Sequence, residues 1–410
     1  MRTKITLLFI SILLLAIILG GGIWYWQQKA KLPTEEELIV KPKESKAKIE
    51  VIDRKAQIKE IGEIPTLKEG KIPIVIFSQE IKTAVEADGR SWPTVRIFRK
   101  IGNSKPEILA EVGKIGEYPR SYALSPDKKF LLINLEKKLQ ILDLESRELK
   151  DLFVPKQEIT DILYSPDGKQ IFIWDQGFEN ESFYVHLFTI SASKDEIIKE
   201  GVIENFYYSL NRYPLKWRED GKILIGAPGE FNTPIAGYFD LTTSQIVETP
   251  ENYAIYPWTV FSKTGKLMNV QEGWISNICE TFNGEAPNKY NIVDTVSGRV
   301  FGTIEMKDQA VEIIAFSPDD KEILISTYKP WTKEEDCQKE PIRNYYKAEI
   351  SSGRLTKIDN PLEVLAKWNV DCVDAKVNEE PPNWNFILYV GGKPIIESNT
   401  ELRIIAEYWK

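Results

Sequence analysis

Residues 163–173 read LYSPDGKQIFI, the chemistry of two strands joined by a tight turn. Pro166 enters the turn with its φ already set, and Asp167 and Gly168 follow as turn residues. Leu163 and Tyr164 precede the turn, and Ile171, Phe172 and Ile173 follow it. The stretch recurs as ALSPDKKFLLI at 123–133 and AFSPDDKEILI at 315–325, with decayed copies KWREDGKILIG at 216–226 and VFSKTGKLMNV at 260–270. The Ser position is held by Ser125, Ser165, Arg218, Ser262 and Ser317, at spacings of 40, 53, 44 and 55 residues. Self-similarity at such a period marks an array of like units. The large residue before each, Leu124, Tyr164, Trp217, Phe261 or Phe316, is placed to pack between neighbouring units.

A second hairpin follows the first. QILDLESREL at 140–149, GYFDLTTSQIV at 237–247, NIVDTVSGRVF at 291–301 and KAEISSGRLTKI at 347–358 each alternate in polarity and break at a Ser/Thr/Gly turn. Four strands per unit, repeated, predict an all-β chain folded as a β-propeller of four-stranded blades. Residues 71–410 hold six or seven of them. Seven results if each chain end forms its own blade, six if the ends share one, and the length favours seven. Sharing would close the ring and remove an exposed sheet edge.

The copies at Ser125, Ser165 and Ser317 resemble the blades of TolB-like propellers, which are related to the WD-repeat group. The resemblance spans about residues 120–360. It implies blades around a central channel and a partner-binding role in the periplasm, and it transfers no catalytic residue.

Ahead of the repeats, residues 5–26, ITLLFISILLLAIILGGGIWYW, carry no charge. As a helix they would span roughly 33 Å, enough for a bilayer core. Arg2 and Lys4 precede them, and Trp24, Tyr25 and Trp26 close them as an interfacial aromatic belt. The belt favours a retained signal anchor over a cleaved signal peptide. Residues 1–26 are therefore expected to be one transmembrane helix, with the amino terminus cytoplasmic and the propeller outside, in the periplasm or extracellular space. Residues 27–70 are expected to be a charged tether, since 27–76 contain no aromatic residue and too little apolar surface to offset ordering entropy. Within them Lys48 to Ile64 is richer in Ile and Val and suits a strand or a short helix.

Composition narrows the function. A net charge of −8 and a pI near 5.2 argue against a nucleic-acid partner. His186 is the single histidine and there are three cysteines, so a His-rich metal site and a four-cysteine zinc cage are both excluded. A Ser-His-Asp triad would have to use His186, which sits in the strand-like SFYVHLFTI. No Gly-x-Ser-x-Gly elbow, phosphate loop or EF-hand spacing occurs, and no cofactor is expected.

The links after the second strand of each unit lengthen along the chain, through 175–183 and 227–234 to 271–289 and 329–344. In a propeller they share one face, and long loops on a rigid scaffold are where binding residues sit. They carry Phe178, Phe231, Trp274, Phe282 and Trp331, with Glu179, Glu181, Glu230, Glu334, Glu335 and Asp336. One reading makes this face a docking site for a protein or peptide of the cell envelope, anchored by Trp274 and Trp331. The other makes these aromatics covers for the blade ends. A cell-surface glycan stacking on the same Trp residues is the alternative ligand. A hydrolase or lactonase in the channel is a third function, needing a metal or paired carboxylates from different blades. Cys279 and Cys337 fall in equivalent loops of adjacent units and form the disulfide candidate, against three free thiols including Cys372.

Overall fold

The computed structural model describes residues 50–64, 67, 70–176, 182–202, 213–226, 237–248, 259–279, 284–337, 341–370, 372–380 and 385–410. Glu50–Val85 and Gly89–Lys410 form one compact unit, a propeller of seven antiparallel sheets.

Two short strands, β1 (Glu50–Asp53) and β2 (Ile58–Glu60), come first. β3 (Pro73–Val85), β4 (Ser91–Ile101) and β5 (Glu107–Val112) belong to blade 1. Blade 2 is β6 (Ser121–Leu124), β7 (Phe130–Asn134), β8 (Leu139–Asp143) and β9 (Leu149–Phe153). Blade 3 is β10 (Glu158–Tyr164), β11 (Gln170–Gln176), β12 (Ser182–Thr189) and β13 (Lys194–Val202). Blade 4 is β14 (Tyr213–Trp217), β15 (Lys222–Gly226), β16 (Gly237–Asp240) and β17 (Gln245–Glu248). Blade 5 holds β18 (Leu267–Ser276), β19 (Glu285–Asp294) and β20 (Val300–Glu305), with a lone bridge from Phe261 to Met268 where its first strand would run. Blade 6 is β21 (Ala310–Phe316), β22 (Glu322–Tyr328), β23 (Arg343–Glu349) and β24 (Leu355–Ile358). After helix α1 (Pro361–Trp368), blade 7 is built from β25 (Ala375–Glu380), β26 (Asn385–Val390) and β27 (Lys393–Ser398), with β2 as its fourth strand. The last strand, β28 (Leu402–Trp409), pairs with β3 and completes blade 1. Contacts of β28 with β6, β6 with β10, β10 with β14, and β25 with β28 put these strands on the inside of the ring.

The chain ends therefore close the ring twice. The C-terminal strand supplies blade 1 with an inner strand, and β2 supplies blade 7 with an outer one. Blade number and shared ends were alternatives in the sequence; here seven blades and sharing coexist, because each end lends one strand to the other's blade. The propeller also begins at Glu50, inside the segment expected to be tether. β1 pairs with β3 from Glu50–Val85 to Asp53–Lys82, and β2 pairs with β27 from Ile58–Ser398 to Glu60–Ile396. Glu60 further holds the fully buried Lys100 ammonium at 3.0 Å. Edge pairing needs backbone groups more than aromatic bulk, so composition concealed it. Residues 1–26 lie outside the described residues. Among the described residues no helix is long and apolar enough to cross a membrane.

The repeated motif acts through its serine. The Ser165 hydroxyl donates to Asp167 Oδ1 at 2.7 Å and accepts from the Gln170 N–H at 2.9 Å. Ser125 and Ser317 repeat both bonds with Asp127 and Phe130 and with Asp319 and Glu322. Each hydroxyl pins the turn to the strand that leaves it. The position after the Asp needs a left-handed backbone, with φ of 71° at Gly168, 79° at Gly221 and 73° at Gly265. In blade 4 Arg218 replaces the serine. It clamps Asp220 at 2.8 Å and reaches Thr295 Oγ1 of blade 5 at 2.6 Å, so the decayed copy became an inter-blade tie.

Between blades the packing is apolar. Ile133, Leu135 and Leu142 of blade 2 meet Ile74, Ile97 and Tyr408 of blade 1. Phe172 and Trp174 of blade 3 meet Trp217 and Phe239 of blade 4. Each such side chain contributes about 1.5–3 kcal/mol by leaving water. Helix α1 is capped by Asn360, which accepts from the Leu362 N–H at 3.1 Å, and buries Leu362, Leu365 and Ala366 against blades 6, 7 and 1.

Candidate functional site

The long links of blades 5 and 6 meet at one end of the ring. Cys279, after β18, is bonded to Cys337, after the 3-10 turn Glu334–Asp336; their Cα atoms are 5.1 Å apart and 58 positions separate them. Asn277 organises the junction. Its fully buried side chain accepts from the Trp331 N–H at 3.0 Å and the Cys279 N–H at 3.4 Å. The Ile278 N–H donates to the Trp331 carbonyl at 3.1 Å. The Trp331 ring lies 5.5 Å from that of Tyr328 and packs with Ile275, Ala286 and Ala310.

Trp331 is thus built into the junction, whereas Trp274 is 43% exposed. Successive strand residues face opposite ways, so Ile275 turns toward Trp331 and Trp274 turns away from it. The two tryptophans do not form one surface. Two residues that sequence reasoning passed over are more open, Ile278 at 51% and Ile342 at 88%. Both sit in the joined links, and a bare Ile in a polar loop was the available signal. Glu334 and Glu335 are exposed beside them. Phe178, Phe231, Phe282, Glu179, Glu181 and Glu230 lie outside the described residues.

From this junction a polar chain runs inward. The Arg343 guanidinium stands over the Tyr328 ring, 5.3 Å from its centre. Arg343 and Lys376 both donate to Glu312 Oε2, which also accepts from the Ser326 hydroxyl at 2.9 Å. Burial would raise the Glu312 pKa, but the two cations outweigh it and hold the carboxyl at about 2. Nearby, burial pushes Asp374 up to about 6, and pushes Glu407 on β28 up to about 7 although the Ala375 N–H donates to it at 2.9 Å. Cys372 is the free cysteine; it points at the Ile314 carbonyl, 3.8 Å away, and burial raises its thiol. These groups come from β21, β22, β23, β25, β28 and the link before β25, and no spacing in the sequence links them. Among the described residues no three His, Cys, Asp or Glu gather to hold a metal ion.

His186 lies between two carboxylates in blade 3. Its Nδ1 is 3.0 Å from Asp195 and its Nε2 is 3.3 Å from Asp175. The ring is 1% exposed and meets Phe153 edge-on at 5.2 Å. With the ring buried, this Asp-His-Asp set joins three strands of one sheet, β11, β12 and β13. Burial lowers its pKa, yet the bonds to Asp175 and Asp195 outweigh burial and raise it above 6.5. The stabilisation is therefore complete below 6.5 and lost as pH rises through the folded value. In thermal unfolding across pH, His186→Gln is expected to remove a fall in stability on the alkaline side. An NMR titration placing the ring below 6.5 in the folded protein would refute this.

No protein-family model matches the chain, and no curated protein matches it. Solved structures with similar folds include TolB from Acinetobacter baumannii, at 14% identity, covering 88% of this chain and 82% of that one, with a TM-score of 0.37. Hydrazine synthase from Kuenenia stuttgartiensis is 15% identical over 66% of this chain and 73% of its own, with a TM-score of 0.41. An oligogalacturonate lyase in complex with manganese is 11% identical over 86% of this chain and 98% of its own, with a TM-score of 0.45. TolB is the propeller family that the blade motifs resemble.

Proposed function

We propose that this propeller is a protein-interaction module whose docking face is the loop-rich end of blades 5 and 6. One observation carries the reading: Trp274, Ile278 and Ile342 are exposed around links that a disulfide and Asn277 hold in place. Large apolar groups on an ordered frame are what a partner can bury without a further ordering cost. The partner is a protein or peptide of the cell envelope, with a glycan stacked on Trp274 as the alternative ligand. The uncharged run at 5–26 supports tethering to a membrane, and a disulfide between exposed loops supports the oxidising side of it.

The test is capture of partners by the full-length protein after mild crosslinking, beside a variant carrying Trp274→Ser and Ile342→Ser. Both residues are exposed, so the variant is expected to keep the wild-type melting temperature. A defined protein captured by wild type and lost with the variant supports the reading. The same partner retained by the variant removes this face from consideration.

A further inference from the structure

The joined links of blades 5 and 6 are held in two ways. At their roots the hold is made of hydrogen bonds and packing. The Asn277 side chain accepts from the Trp331 N–H at 3.0 Å and from the Cys279 N–H at 3.4 Å, and the Ile278 N–H donates to the Trp331 carbonyl at 3.1 Å. The Trp331 ring packs with Ile275, Ala286 and Ala310. At the other end of the same link Arg343 stands over the Tyr328 ring and donates to Glu312. Between these anchors lies the Glu334–Asp336 turn, with Thr332, Lys333, Glu334 and Glu335 exposed. The Asp336 N–H donates to the Lys333 carbonyl and the Cys337 N–H to the Glu334 carbonyl, both at 3.1 Å, and Lys333 pairs with Glu335 at 3.7 Å. Those bonds stay inside the turn. The covalent tie from the turn to blade 5 is Cys279–Cys337.

Three features make this bond one that can open and close. Neither cysteine is buried, so a reductant can reach the sulfurs. Access is a condition of thiol–disulfide exchange, and exposed disulfides are the labile and regulatory ones. Second, opening the bond leaves the anchors in place, because the bonds of Asn277, the packing of Trp331 and the hold on Arg343 do not run through a sulfur. Third, Cys372 is kept out of the exchange. It lies in a different seam with its thiol 3.8 Å from the Ile314 carbonyl, and burial raises its pKa, so it stays a thiol and supplies no attacking thiolate. The pair therefore has two defined states, bonded and open.

We infer, resting on the reading of this end as the docking face, that Cys279–Cys337 is a redox gate on it: the face binds its partner when the bond is formed and releases it when a dithiol protein reduces the bond. The dithiol attacks one sulfur as a thiolate, which forms a mixed disulfide and expels the other cysteine, and that cysteine takes up a proton. The second thiol of the dithiol then loses its proton and displaces the remaining cysteine. The dithiol leaves as a disulfide, and Cys279 and Cys337 become thiols with its two electrons and two protons. Once open, the stretch from Thr332 to Ile342 has lost its covalent tie, and a partner must restore its order on binding. Ile278 adjoins Cys279 and Ile342 ends the freed stretch, so the loss falls on the two most exposed apolar groups of the face.

The test compares the full-length protein before and after treatment with dithiothreitol, beside a Cys279→Ser/Cys337→Ser variant and a Cys372→Ser variant. Trypsin reads the link at Lys333. Cleavage there is expected to rise about tenfold or more on reduction, as for a segment released to local opening. Near-ultraviolet circular dichroism below the melting transition is expected to stay that of the folded ring. The double variant should be cleaved at the reduced rate without reductant, and Cys372→Ser should respond as wild type. Capture of the crosslinked partner is expected to fall about tenfold on reduction and in the double variant, which separates effects on the link from effects of reductant on the partner. Equal cleavage in the two states overturns the gate. So does loss of the folded spectrum on reduction, and so does equal capture of the same partner in both states. If the oxidised protein captures no partner that depends on Trp274 and Ile342, the docking reading falls, and the gate with it, whatever the cleavage rates.

Discussion

Replacing Cys279 and Cys337 together by Ser is expected to cost this propeller up to about 4 kcal/mol of unfolding free energy, the chain-entropy figure for a cross-link closing a loop of this length. The effect exceeds that of any single loop contact because the bond acts on the unfolded chain: it ties the whole stretch from β18 to the link before β23 into a loop. The expected readout is a lower guanidinium midpoint for the double variant than for the oxidised protein, with the slope raised as the freed chain exposes more surface. Thiol counting on the denatured, unreduced protein should find one free cysteine, Cys372. Three free thiols, or equal midpoints, would end the argument. The folded-state consequence is smaller and local. Asn277 still holds Trp331, so the junction should persist while the Glu334–Asp336 turn loosens.

Glu312→Gln should be the most damaging single change in the seam of blades 6 and 7. The carboxylate is the common acceptor for Arg343, Lys376 and Ser326. Removing its charge leaves two half-buried cations facing each other, and breaking one partner out of such a set costs about 3–5 kcal/mol. The pH dependence gives an independent measure. Glu312 falls from its ordinary 4.5 to about 2 in the folded state. Its stabilisation is fully present above 4.5 and is lost as pH falls through about 2, worth roughly 3 kcal/mol for that shift. The variant's deficit relative to wild type should therefore shrink on acidification from pH 5 to pH 2. A constant deficit over that range would show that the substitution disturbs packing alone. Replacing Glu312, Arg343 and Lys376 together by apolar residues should recover much of the loss, since ion sets of this kind add little over a packed apolar seam.

The sequence exposed some features and hid others for one reason, the range over which the interactions act. The Ser-Pro-Asp turn was legible because Ser165 bonds to residues two and five positions on, all inside one written motif. Arg218 looked like decay and proved to be a tie to Thr295, 77 positions away, a distance at which the sequence holds no pattern. Cys279 and Cys337 could be paired on paper only because the repeat placed their loops in register. Trp274 and Trp331 were alike in the sequence. The pleat of β18 and the ring of Tyr328 separated them, one into solvent and one into the junction. Ile278 and Ile342 drew no attention because exposure of an apolar loop residue is decided by what fails to cover it.

The blade is a local object. Its four strands, their turns and the repetition that makes a propeller follow from neighbours within one unit, and they can be read along the chain. The closure of the ring and the convergence of its polar groups belong to the folded molecule. Ile58 pairs with Ser398, and Glu312 of blade 6 meets Lys376 of blade 7. Turn chemistry and strand alternation act over a few residues and are written in order along the chain. Closure and convergence join residues that are distant in sequence, and they exist only once every blade has taken its place.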